Sequence, residues 1–84
     1  MHLDRLISVL ETIAISGKPL SPIELMKATG LPRPTCYRLL QTLTNHRLLD
    51  KLEGTLRYQI GNRLKRIVLL GSGPINLIEA FKPV

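Results

Sequence analysis

The fold class that this sequence predicts is mainly α with a small β-hairpin: a winged helix-turn-helix, with a three-helix core, a wing, and a linker helix behind it. Three observations predict it. Ser21-Pro22-Ile23-Glu24 starts a helix that stops at Gly30, and a second apolar-periodic stretch begins right after Leu31-Pro32, so two helices meet across a short turn. A pair of short strand-like runs around Glu53-Gly54-Thr55 follows them. The formal charge of +6 lies wholly in the middle of the chain: residues 33–66 hold all of the excess, while residues 1–32 and 67–84 are each neutral.

The first helix is predicted over residues 3–14. Leu3, Leu6, Ile7, Leu10, Ile13 and Ala14 recur at helical spacing, with Asp4, Arg5, Ser8 and Glu11 opposite. Val9 and Ile15 fall off that stripe, and Gly17 offers a left-handed cap. In the second helix Ser21 caps, Pro22 suits the first helical position, and Glu24 completes a capping box. The third helix is predicted from Arg33 to Asn45. It buries Cys36, Leu39, Leu40 and Leu43, spaced i, i+3, i+4, i+7, and turns Thr35, Tyr37, Arg38, Gln41, Thr42 and Asn45 outward. Pro34 is tolerable in its first turn, where an N–H is not needed.

The hairpin pairs residues 48–52 with 56–60, and Leu56, Tyr58 and Ile60 alternate on one face against Arg57 and Gln59. Asn62 caps a fourth helix through about Leu70. Gly71-Ser72-Gly73 then reads as a break, and Pro74 as the start of another helical pattern through Ile75, Leu77, Ile78 and Phe81. The division is residues 1–61 for the winged domain and 62–84 for the linker helix and the start of a further connection.

Size and composition bound the function. Eighty-four residues make one small domain with a limited core. The longest apolar run, Ile67 to Leu70, is far too short to cross a bilayer, and the amphipathic N-terminus lacks a signal peptide's continuous apolar stretch, so the expected location is the cytoplasm. Cys36 is the only cysteine, which removes an internal disulfide and a Cys-based zinc site. No Cys/His pair, clustered carboxylates or phosphate-cradling glycine loop marks an enzyme, and neither metal nor cofactor is expected.

A basic segment beside neutral ones favours a polyanion-binding face. In a helix-turn-helix the second helix of the motif enters the major groove. Arg33 and Arg38 can pair with guanine edges or phosphates, Gln41 can read adenine, and Thr35 and Thr42 can bond a base or phosphate. Tyr37 offers a hydroxyl to phosphate or a ring to a thymine methyl. Lys51 and Arg57 flank the wing turn within reach of neighbouring phosphates. Ser21 and the N–H groups of its helix start can receive a phosphate. The expected partner is therefore double-stranded DNA. The alternative is a winged-helix protein-interaction module, whose recognition helix would be neutral or acidic.

The stretch GKPLSPIELMKATGLPRPTCYRLLQTL, residues 17–43, together with Arg57-Tyr58-Gln59-Ile60-Gly61, resembles the N-terminal domain of IclR-type transcription regulators. The resemblance covers about residues 3–71. It implies homodimers or tetramers on pseudo-palindromic operators, and a larger effector-binding domain, taking a small molecule, beyond the linker helix. It also implies DNA contacts from Arg33, Thr35, Tyr37 and Arg38 and from the hairpin around Glu53-Gly54. Pro34 stands where many members have Ser or Lys, and Glu53 places a negative charge at the wing tip.

Overall fold

The computed structural model describes the backbone of residues 3–80 and the side chains of residues 3–71. Its elements are α1 (Leu3–Ser16), α2 (Pro22–Thr29), α3 (Arg33–Asn45), β1 (Leu49–Lys51), β2 (Tyr58–Ile60) and α4 (Asn62–Ala80). The strands are antiparallel, with Leu49 opposite Ile60, Asp50 opposite Gln59 and Lys51 opposite Tyr58. Among the described residues, four helices and one hairpin make the mainly helical winged arrangement that the sequence predicts.

Local chemistry accounts for the helix ends. Glu24 N–H donates to Ser21 Oγ at 3.2 Å and Ser21 N–H donates to Glu24 Oε1 at 2.9 Å, so the capping box of α2 is complete. Gly30 ends α2 at φ 74°, and Gly17 follows α1 at φ 69°, both in the left-handed region where a side chain is unfavourable. The end of α3 is less expected. Arg47 N–H donates to Thr44 O at 3.0 Å and Leu48 N–H to Leu43 O at 2.9 Å. These are the paired bonds of a Schellman cap, and Arg47 holds the left-handed position at φ 60° where glycine is usual.

The core is a single cluster of Leu6, Val9, Ile13, Leu20, Leu25, Cys36, Leu39, Leu40, Leu43 and Leu49. The stripe expected on α3 is buried in full. On α1 the inward face differs from the expected one. Leu6, Val9 and Ile13 are buried, Val9 completely, while Leu3, Ile7 and Ala14 are exposed. The apolar arc of α1 is too wide for one neighbour, and α2 and α3 take the side centred on Val9. The other side, with Ile60, Leu64, Val68 and Leu69, lines an open groove of about 680 Å³ between α1 and α4.

The hairpin is shorter than expected, and Leu56 lies in its loop, half exposed, off the inward face of Tyr58 and Ile60. Leu20 bridges the other edge of β2: Leu20 N–H donates to Tyr58 O at 2.9 Å and Tyr58 N–H donates to Leu20 O at 2.8 Å. The chain therefore ties the α1–α2 connection to the outer edge of the wing.

Helix α4 also departs from expectation. It runs unbroken through Gly71, Ser72, Gly73 and Pro74. Gly71 does not take a left-handed conformation, so nothing ends the helix there, and a helical glycine costs only about 1 kcal/mol. Its start is capped across the fold: Asn62 N–H donates to Asp50 Oδ2 at 3.3 Å, so Asn62 is the first helical residue and Asp50 the acceptor. The expected stripe of Ile75, Leu77, Ile78 and Phe81 lies outside the residues whose side chains are described. Among the described residues no helix is long and apolar enough to cross a membrane, and no group of His, Cys, Asp and Glu is placed to hold a metal.

Candidate nucleic-acid interface

Helix α3 sorts its residues by face. Cys36, Leu39, Leu40 and Leu43 are sealed, and the Cys36 Sγ lies 4.0 Å from the Pro22 carbonyl, which seats α3 against the first residue of α2. Burial raises the Cys36 thiol above its usual range, so it is an inert core residue. Arg33, Arg38 and Gln41 are exposed on the other face, with Thr35, Tyr37 and Thr42 half-buried at its edges. Each of these six residues thus keeps a solvent-facing surface.

Two features order that face. The Arg33 guanidinium carbon sits 5.7 Å from the centroid of the Tyr37 ring, a stacking distance one helical turn apart. Gln41 Nε2 donates to Asn45 Oδ1 at 3.2 Å. Pro32 at the N-cap of α3 provides no side-chain hydrogen bond and Pro34 has no N–H, so Arg33 and Thr35 hold the uncapped amides of the first turn. Among the described residues the only ion pair is Arg57–Glu24, which leaves Arg33, Arg38 and Lys51 without carboxylate partners. No charged or polar residue among them is buried.

The wing has a tight tip. Thr55 N–H donates to Leu52 O at 3.2 Å across a turn with Gly54 at φ 76°, and Leu52 N–H donates to Arg57 O at 2.9 Å. Lys51 is exposed at the end of β1. Arg57 is placed differently from the sequence expectation of a residue reaching outward. Its Nη1 donates to Glu24 Oε1 at 2.7 Å and to Pro19 O at 3.3 Å. Ser21 is likewise engaged, with its hydroxyl and its N–H both taken by Glu24. The Ser21 N–H, joined by the Ser21 hydroxyl and Arg57, holds the Glu24 carboxyl below the usual carboxylate range, with partial desolvation opposing. Sequence reasoning saw Glu24 only as a helix cap. Its second role as a wing anchor had no local signal, because Arg57 is 33 residues away.

The arrangement has counterparts among known proteins. The IclR helix-turn-helix domain model matches residues 2–53, well over half of the chain. The chain belongs to the IclR helix-turn-helix domain family. This IclR domain is 29% identical over 73 residues to the probable transcriptional regulator SauR of Cupriavidus necator, covering 83% of this chain and 29% of that protein. The crystal structure of an IclR homolog from Microbacterium sp. strain HM58-2 shares the fold at TM-score 0.78 and 23% identity, covering 92% of this chain and 32% of that one. The structure of an IclR family transcriptional regulator from Brucella abortus is similar at TM-score 0.72 and 28% identity, over 93% of this chain and 30% of that one. The IclR domain thus spans about three tenths of the length of these relatives. SauR is a probable transcriptional regulator, and the Brucella abortus protein is a transcriptional regulator of the IclR family.

Proposed function

We propose that this IclR domain binds double-stranded DNA sequence-specifically, with α3 in the major groove and the wing around residues 53–55 on flanking DNA. The observation that carries the reading is the exposed face of α3: Arg33 and Arg38 stand free of carboxylates, beside Tyr37 and Thr35, on a helix whose opposite stripe is locked in the core. The stacked Arg33 is held in a shape suited to bidentate contact with a guanine edge. Thr35, Tyr37, Gln41 and Thr42 are the further contacts on the helix, and Lys51 is the wing's contact with phosphate. Ser21 and Arg57 border this surface, with their polar groups shared with Glu24.

The reading extends to the assembly. Residues 1–61 form the winged domain and residues 62–84 the linker that leads towards a small-molecule effector domain of a cytoplasmic regulator. A homodimer or tetramer on a pseudo-palindromic operator is supported by the apolar outer sides of α1 and α4, where Leu3, Ile7, Ile67, Leu69 and Leu70 are exposed.

Fluorescence anisotropy tests the core claim, with the DNA upstream of the chain's own coding sequence as probe. Affinity falls steeply between low and moderate salt, because each neutralised phosphate releases roughly one counterion. Arg38→Ala weakens binding by about five-fold to about 150-fold, as expected for loss of a contact worth about 1–3 kcal/mol. A flat salt profile, or unchanged affinity in Arg38→Ala, refutes the proposal.

A further inference from the structure

The clamp at Glu24 joins three parts of the fold through one oxygen atom. Glu24 Oε1 accepts from Ser21 N–H at 2.9 Å and from Arg57 Nη1 at 2.7 Å. The same Arg57 nitrogen donates to Pro19 O at 3.3 Å. One residue further along, Leu20 and Tyr58 exchange two backbone bonds. The wing's second strand is therefore fastened to the connection between α1 and α2, and α2 carries α3 through Pro22 and Cys36. A line of contacts thus runs from the wing through Arg57, Glu24 and Pro22 to α3.

We propose that Glu24 and Arg57 form a strut that sets the angle of the wing to α3, and that Arg57 is a positioning residue, not a phosphate contact. This rests on the DNA-binding reading above and assigns a distinct role within it. Charge arithmetic supports the strut. A phosphate arriving at Arg57 would meet the Glu24 carboxylate, which is already bonded to that guanidinium and fills the N-terminal end of α2. The arginine's charge is neutralised where it stands, so it displaces no counterion from the duplex. The pair is partly exposed, at 47% for Arg57 and 37% for Glu24, so its energetic effect is modest and its geometric effect is the one to measure.

The test uses the 84-residue chain and a labelled mixed-sequence duplex, with affinity measured across a salt series. Wild type gives a slope of log affinity against log salt that counts phosphates. Lys51→Met lowers that slope by about 0.9, one phosphate. The strut predicts that Arg57→Met leaves the slope unchanged and lowers affinity by at most about five-fold at every salt concentration. It also predicts a non-additive cycle: in a Glu24→Gln background, Arg57→Met costs less than it does in wild type, because most of the arginine's hold runs through that carboxylate and only the longer bond to Pro19 O remains. Thermal melts of each variant confirm that it is folded at the assay temperature. If Arg57→Met lowers the slope as Lys51→Met does, or costs the same with Glu24 and with Gln at that position, Arg57 contacts phosphate and the strut is overturned while DNA binding stands. If wild type shows no salt-dependent binding, both proposals fall.

Discussion

Gly61 is the position where one added methyl group should do most damage for its size. A Cβ built there would lie 2.3 Å from Arg47 O and 2.9 Å from both Arg47 C and Leu48 C. All three are backbone atoms, so no side chain can swing aside. An ordinary carbon–oxygen contact needs at least about 3.3 Å, so the start of α4 and the α3–β1 turn must part by about 1 Å. Gly61 N–H to Leu48 O, now 2.9 Å, and Arg63 N–H to Arg47 O, now 3.3 Å, would then exceed hydrogen-bonding distance. Overpacking costs about 1–3 kcal/mol and each lost bond about 1 kcal/mol, so Gly61→Ala should destabilise by at least about 3 kcal/mol. A domain of this size holds roughly 4–12 kcal/mol, and the melting temperature should fall by about 12–24 °C. Circular dichroism melts measure this directly. Gly71→Ala is the control: its added Cβ meets open space inside a continuous helix, and the change should stabilise by about 0.5–1 kcal/mol. A Gly61→Ala variant melting within about 3 °C of wild type would refute the close approach, and a Gly71→Ala variant that melts lower would refute the unbroken helix.

Three further outcomes follow from the same geometry. Val9→Ala should cost about 2 kcal/mol, from two lost carbons and the space they leave, whereas Ile15→Ala, at 84% exposure, should stay within about 0.5 kcal/mol in urea denaturation. Arg47→Gly should raise stability by about 1 kcal/mol in a thermal melt, because glycine relieves the left-handed strain at φ 60°. Glu24 has a lowered folded-state pKa, so its contribution is present at neutral pH and is lost as pH falls through that depressed value. The melting difference between wild type and Glu24→Gln should therefore be greatest near pH 7 and close in acid below the usual carboxylate range.

What could be read in advance depended on the range of the interaction. The capping box of Ser21 and Glu24, the left-handed Gly30 and the buried stripe of α3 are set by residues within one or two turns of each other, and all were legible. The choice of inward face on α1 was not, because two apolar arcs satisfy the same periodicity and only α2 and α3 decide between them. The bridge from Leu20 to Tyr58, the cap from Asp50 to Asn62 and the bond from Arg63 Nη1 to His46 O at 3.2 Å join residues distant in sequence, and no spacing rule points to them. Gly71 and Pro74 misled because they permit a helix break without requiring one. At the interface, the exposed face of α3 was visible from periodicity. The diversion of Arg57 to Glu24 was not, since charge alone does not reveal whether a cation already has a partner.

The seam between the end of α3 and the start of α4 has a mechanical consequence. Its contacts run from peptide to peptide, with the Arg63 guanidinium as a brace on the carbonyl of His46, the residue that caps α3. Gly61 N–H to Leu48 O and Arg63 N–H to Arg47 O leave little slack there apart from the Arg63 side chain itself. A twist of α4 would therefore be felt first in the α3–β1 turn at residues 46–48, where Gly61 N–H and Arg63 N–H hold the Leu48 and Arg47 carbonyls.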